Sequence, residues 1–155
     1  MLSLTRKTEY ALIAMSHLAS KPERLASARE IADLYRIPLP VLTNILKTLN
    51  RSGLVESERG VRGGYRLAQD PQEISLATLI GAIEGPVRLV KCSSDRKSKS
   101  RGDCGLMAWC PVRSPALRVH DRLHRFLEEV SLDEIVAQGE PARAARARGE
   151  EEPAP

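Results

Sequence analysis

Aromatic residues are scarce in this chain: one Trp, one Phe and three Tyr make up 3% of 155 residues. Sandwiches and barrels draw on aromatic and β-branched side chains, so the Leu-, Ala- and Ile-containing remainder predicts a helical core. No apolar run approaches the roughly 20 residues that cross a bilayer, which argues against a membrane-spanning helix. The opening Met1-Leu2-Ser3-Leu4-Thr5-Arg6-Lys7 has no apolar stretch of a secretion leader, so a cytoplasmic location is expected. Cysteine is scarce too. Three is an odd number, which suits reduced thiols better than a disulfide framework. A CxxC redox pair, a Gly-rich phosphate loop and a paired-carboxylate signature are all missing. A cysteine-dependent enzyme would also need a base beside a thiol, and no motif ties His120 or His124 to one. The sequence therefore reads as a binding protein rather than an enzyme.

Positive charge is what the chain has, and it is unevenly placed. The net charge is +4. Residues 1–85 carry +2, residues 86–113 carry +5 from 7 basic and 2 acidic side chains, and residues 114–155 carry −3. The middle segment also holds all three cysteines, Cys92, Cys104 and Cys110. A basic, Cys-bearing, Gly- and Ser-containing stretch between two patterned regions reads as a functional loop. The chain thus divides into a patterned region 1–85, a cysteine loop 86–113, a helix over 114–137 and a tail 138–155. That tail has too few large apolar residues to offset its ordering entropy, so it is expected to be disordered.

The first region reads as helices with marked ends. Leu4, Ala11, Leu12, Met15, Leu18 and Ala19 fall at helical spacing, Thr5 suits an N-cap, and Pro22 closes the run. Ser27 and Glu30 stand as a capping box for a short second helix with Ile31, Ala32 and Leu34. After Arg36-Ile37-Pro38-Leu39-Pro40, a third helix has Pro40 near its first position and Gly53 just past its end. Its apolar stripe is Val41, Leu42, Ile45, Leu46 and Leu49; its other face offers Thr43, Asn44, Lys47, Asn50 and Arg51. This is a helix-turn-helix pattern.

Two alternating segments, residues 54–59 and 65–68, flank Gly60-Val61-Arg62-Gly63-Gly64. They predict a two-stranded hairpin, a wing whose Arg59, Arg62 and Arg66 can reach phosphates or a minor groove. Gly63 and Gly64 suit positive φ and a close backbone approach. The order capped helix, turn, second helix, basic wing favours DNA binding over a solvated hairpin. Pro40, Thr43, Asn44 and Lys47 would lie nearest the bases or phosphates, with Arg59, Arg62, Gly63 and Arg66 on the backbone and minor groove.

Ser75 then caps a fourth helix with Leu76, Leu79, Ile80 and Ile83, ending at Gly85-Pro86. From Pro115, the residues Ala116, Val119, Leu123, Phe126 and Val130 alternate by three and four, with Leu127 widening the seam. A narrow seam of this kind suits pairing with a second copy, and a homodimer suits a pseudo-palindromic operator on double-stranded DNA. The fold class is mainly α: a winged helix-turn-helix domain with a long C-terminal dimerisation helix.

The cysteine spacing fits neither a structural zinc site nor a redox pair. Soft thiolates on a loop bearing Lys91, Arg96, Lys97, Lys99, Arg101 and Arg113 suit an iron–sulfur cluster, which needs a fourth ligand. Thiols without a metal role remain the alternative.

These residues resemble the Rrf-two family of winged-helix regulators, which includes the IscR-like and NsrR-like iron–sulfur sensors. The resemblance rests on Leu4-Thr5 with Tyr10-Ala11, on Ile37-Pro38-Leu39-Pro40-Val41-Leu42, and on Gly53-Leu54-Val55. It continues through Arg59-Gly60-Val61-Arg62-Gly63-Gly64-Tyr65-Arg66-Leu67, the three cysteines and Ser131-Leu132-Asp133-Glu134-Ile135, covering about residues 1–136. It implies that Cys92, Cys104 and Cys110 hold a 2Fe–2S cluster, or a 4Fe–4S one, whose state controls promoter occupancy, as in a repressor. Two departures stand out. The gap between Cys92 and Cys104 is longer than in IscR-like members, and Arg113 stands where those have a ligating histidine. NsrR-like members use a carboxylate near the start of the first helix, supplied by the partner subunit, and Glu9 holds that position. His120 and His124 are further options. A cluster-free regulator of the same fold, sensing oxidants through its thiols, is the alternative function.

Overall fold

Short polar side chains start the helices where the sequence places them. In the computed structural model, which describes residues 3–60, 63–90 and 108–138, Thr5 caps α1 (Arg6–Ala19) by accepting from the Thr8 amide. Ser27 caps α2 (Ala28–Tyr35) through the Glu30 amide at 3.0 Å. Ser75 caps α4 (Leu76–Glu84) through the Thr78 amide at 3.1 Å. Each satisfies one of the donors a helix N-terminus leaves unpaired. The box at α2 is only half closed, because the Glu30 carboxylate pairs with Arg24 at 3.1 Å. α3 (Leu39–Arg51) has no side-chain cap and begins instead with Pro40 in its first turn.

Between α2 and α3 the chain turns at Arg36, whose φ is +53°, the one positive value at a non-glycine residue among the described residues. Ile37 then tucks into the core, its amide donating to Ala32 O at 3.0 Å. α3 ends as predicted at Gly53, with φ +71°, and the Leu54 amide closes back on Leu49 O at 3.0 Å.

Leu42, Ile45, Leu46 and Leu49 of α3 are buried against Ala11, Met15 and Leu18 of α1, Ile31 of α2 and Leu79 of α4. The wing is an antiparallel pair, β1 (Val55–Glu58) and β2 (Gly64–Leu67), in the register Val55 with Leu67 and Glu58 with Gly64. Its root is held by Ala26, ahead of α2, which exchanges both backbone hydrogen bonds with Tyr65 at 3.0 and 2.9 Å. Here the glycines need correcting. The left-handed φ belongs to Gly60, at +127°, and not to Gly63 or Gly64. Those two serve close approach: a Cβ on Gly64 would lie 2.7 Å from Ala26 O, and one on Gly63 would overlap Glu58 O.

The expected single helix over 114–137 is two helices. α5 (Arg113–Glu129) stops at Val130, which is extended, and Ser131 forms an isolated bridge with Ser75. Ser131 Oγ accepts from the Glu134 amide at 3.2 Å and starts α6 (Leu132–Gln138). The Leu132 amide donates to Ile74 O at 2.8 Å, and its side chain is fully buried. The apolar seam read from the sequence ends at Val130, the residue at which α5 stops. α6 folds back on α1, while α5 lies along α4 with no buried residue. The tail from residue 139 lies outside the described residues.

Candidate nucleic-acid interface and cysteine loop

The core-facing side of α3 fixes its outward side, and three of the predicted residues stand there in solvent: Pro40, Asn44 and Lys47. Thr43 is half-buried, and its hydroxyl donates to Leu39 O at 2.8 Å. Asn50, which the helical pattern places on the same polar face, has a different job. Its Nδ2 donates to Val55 O at 2.9 Å and ties the end of α3 to the root of the wing.

Because Ala26 pins β2, the wing stands beside α3 and the start of α2. Lys47, Asn50, Ser27, Ser57, Arg59 and Gly63 then line one open cleft of about 410 Å³. The structure thus brings together Lys47, Arg59 and Gly63, three of the residues predicted from sequence. Arg66 is set apart. It lies across from Glu56 in the strand register, and its Nε and Nη2 both donate to Glu56 Oε2, at 3.1 and 3.0 Å. Arg66 lines a second cleft of about 590 Å³ with Glu23, Arg24, Glu30 and Glu58. Two of the five N–H donors of Arg66 are thus held by Glu56. Arg62 lies outside the described residues.

Of the cysteines, Cys92 and Cys104 lie outside the described residues. Cys110 is half-buried, takes part in no disulfide, and precedes α5, with Arg113 donating its amide to Cys110 O at 3.4 Å. A free, partly accessible thiol at this place fits a thiolate ligand. The exposed Arg113 guanidinium does not, since it has no lone pair to offer. Glu9 sits in the first turn of α1, paired with Arg6 at 3.1 Å. His120 lies against the strand of chain that leads to Cys92, its Nδ1 facing the Leu89 amide at 3.5 Å. His124 Nδ1 is 3.3 Å from Glu128. Among the described residues no three His, Cys, Asp or Glu side chains converge as a metal site, so Glu9, Cys110, His120 and His124 are not gathered.

Two polar groups escaped the sequence reading. Glu84, the last residue of α4, accepts from the Thr5 amide at 3.1 Å and from the Thr5 and Thr8 hydroxyls. The Thr8 hydroxyl and the Thr5 amide hold its carboxyl below the ordinary range. An acid at the C-terminus of its own helix opposes that helix's dipole, and this was the available signal for a partner elsewhere. His17 is buried on α1, edge-on to Tyr35 with Nδ1 at 3.3 Å from its hydroxyl, while Nε2 has no partner among the described residues. Burial, aided by Lys21, lowers its pKa against the opposing pull of Glu30.

Comparison with known proteins gives this arrangement its family. Residues 4–138 match the Rrf2 (Rrf-two) family, described as iron-dependent transcriptional regulators. The transcriptional regulator NsrR of Shouchella clausii is 30% identical over 151 residues, which is 92% of this chain and 94% of the relative. The transcriptional regulator IscR of Vibrio parahaemolyticus is 32% identical over 143 residues, 90% of this chain and 80% of that protein. The solved structure of CymR, the global cysteine regulator of B. subtilis, superposes with a TM-score of 0.70 at 27% identity, covering 90% of this chain and all of that one. These relatives are transcriptional regulators rather than enzymes, and the CymR structure shares the winged-helix fold described above. This chain belongs to the Rrf2 family of transcriptional regulators.

Proposed function

We propose that this protein is a homodimeric transcriptional regulator whose occupancy of promoter DNA is set by an iron–sulfur cluster on Cys92, Cys104 and Cys110. The observation that carries the DNA reading is the single cleft in which Lys47 of the third helix meets Arg59 of the wing. α3 enters the major groove with Pro40, Thr43, Asn44 and Lys47 forward, and Arg59 and Arg62 reach the backbone or the neighbouring minor groove. Arg66 adds its full charge to that contact once released from Glu56.

Val112, Val119 and Phe126 support the dimer. They recur every seven residues from the N-cap of α5 along the helix and are 62%, 54% and 59% exposed. A second copy covers that stripe and sets two α3 helices on successive half-sites. The cluster ligands are the three thiolates plus a weaker fourth group, with Glu9 of the partner subunit the foremost candidate. A bound cluster would supply a redox- and iron-sensitive charge beside the dimer helix. The chain's part is to hold that loop between α4 and α5, so that a change in it bears on both. Glu9 meets Arg6 through Oε2, and its other carboxylate oxygen would ligate.

A cluster-free thiol sensor of the same fold is the second reading, favoured by Arg113 in place of a histidine ligand. One anaerobic purification separates the two. The cluster reading predicts brown protein with visible absorbance, matching iron and sulfide, and bleaching in Cys104→Ala. Colourless protein without iron overturns it. Arg59→Ala is expected to weaken binding to every duplex and to lower the salt slope by about one; an unchanged slope removes Arg59 from the phosphates.

A further inference from the structure

The outer face of α3 has fewer free hydrogen-bonding groups than its sequence suggests. The Thr43 hydroxyl gives its proton to Leu39 O and the Thr48 hydroxyl to Asn44 O, so each keeps only acceptor capacity, while Asn50 Nδ2 donates to Val55 O and holds that amide at the C-terminal end of the helix. Pro40 has no donor. Lys47 offers donors on a flexible stem and no acceptor, which makes it a point charge for phosphates or any acceptor-bearing edge. Arg51 ends the helix, about 16 Å of rise beyond Pro40, whereas the N-terminal half of a recognition helix meets the bases. Asn44 remains. It is exposed, sits one turn in from Pro40 on the same face, and its side-chain amide has no partner among the described residues.

An amide holds one donor and one acceptor side by side. Adenine presents the complement in the major groove, an N7 acceptor beside an N6 donor. Guanine presents two acceptors there, cytosine a donor, and thymine an acceptor beside a methyl group, so none of them matches both atoms of the amide. We propose that Asn44 is the residue that reads sequence for this regulator, and that it requires adenine at one fixed position of each half-site. This rests on the placing of α3 in the major groove.

The test is selection of duplexes from a random pool by the full-length protein and by Asn44→Ala and Lys47→Ala, followed by titration of the selected site. Wild type is expected to select one invariant adenine per half-site, with loss of about 5- to 150-fold on replacing that A·T pair. Asn44→Ala is expected to lose the preference at that position alone and to keep the salt slope. Replacing that adenine by 7-deazaadenine weakens wild type and leaves Asn44→Ala unaffected. Unchanged base preferences in Asn44→Ala, or guanine at the position that responds, overturns the assignment. If Lys47→Ala meanwhile weakens binding to all duplexes, α3 is still the DNA-contacting helix and only the adenine assignment falls. If neither substitution alters affinity or preference, the placing of α3 itself is wrong.

Discussion

α3 and α5 each carry an apolar stripe over several turns, and the stripes meet opposite fates. In α3, Leu42, Ile45, Leu46 and Leu49 are all at most 4% exposed. In the longer α5 nothing is buried, and Val119 and Phe126, with Val112 at its N-cap, are more than half exposed. The difference lies in what stands opposite. α1, α2, α4 and β1 wall in α3 within one chain, whereas α5 has α4 on one side and solvent on the other. An apolar period therefore says that a face will be covered without saying which chain covers it.

The largest expected effect breaks the buried half of that comparison. Leu46→Ala is expected to cost about 2–5 kcal/mol in urea unfolding, since it leaves a cavity among side chains that cannot collapse onto it. A loss below about 1 kcal/mol would mean that α3 is far less enclosed than the structure shows. Phe126→Asp tests the other half. Helicity and the winged-helix unit should survive, while sedimentation shifts from dimer to monomer; an unchanged dimer would move the interface off α5.

A smaller effect concerns His17, within the same core as α3. Its folded pKa lies below the ordinary value of about 6.5, so the folded chain binds fewer protons than the unfolded one just below that pH. Stability is then full above about pH 6.5 and declines as pH falls through that value towards the folded pKa. His17→Asn, which keeps a donor near the Tyr35 hydroxyl, should flatten that slope between pH 5 and 7. A slope as steep as wild type would assign it to other groups.

The smallest effect on stability belongs to the surface pair of Glu56 and Arg66. Glu56→Gln should change unfolding by less than about 1 kcal/mol. It frees Arg66, so the salt slope of DNA binding should steepen by about one phosphate contact. An unchanged slope would leave Arg66 outside the interface.

Much of this was legible in the chain. Thr5, Ser27 and Ser75 mark their helices because an N-terminal amide needs a nearby oxygen, which is a local demand. Gly53 and the wing are local as well. What could not be read is long-range. Nothing near Ala26 announces its bridge to Tyr65, and Asn50 looks like any surface amide until β1 brings Val55 O beside it. The break before α6 did leave a trace, since Ser131 and Glu134 have capping-box spacing and the apolar seam ends at Val130. For the site, Lys47, Arg59 and Gly63 were found together, while the attachment of Arg66 to Glu56 needed the strand register.

The central claim is that the state of the cysteine loop sets DNA affinity, and anaerobic titration of a selected duplex tests it most directly. Fluorescence anisotropy would follow binding by a single preparation, with iron and sulfide measured before and after cluster removal at fixed salt. The account predicts that the two forms differ in Kd by about 5- to 150-fold, the usual range for coupled sites. Equal affinities for fully loaded and cluster-free dimers would contradict it.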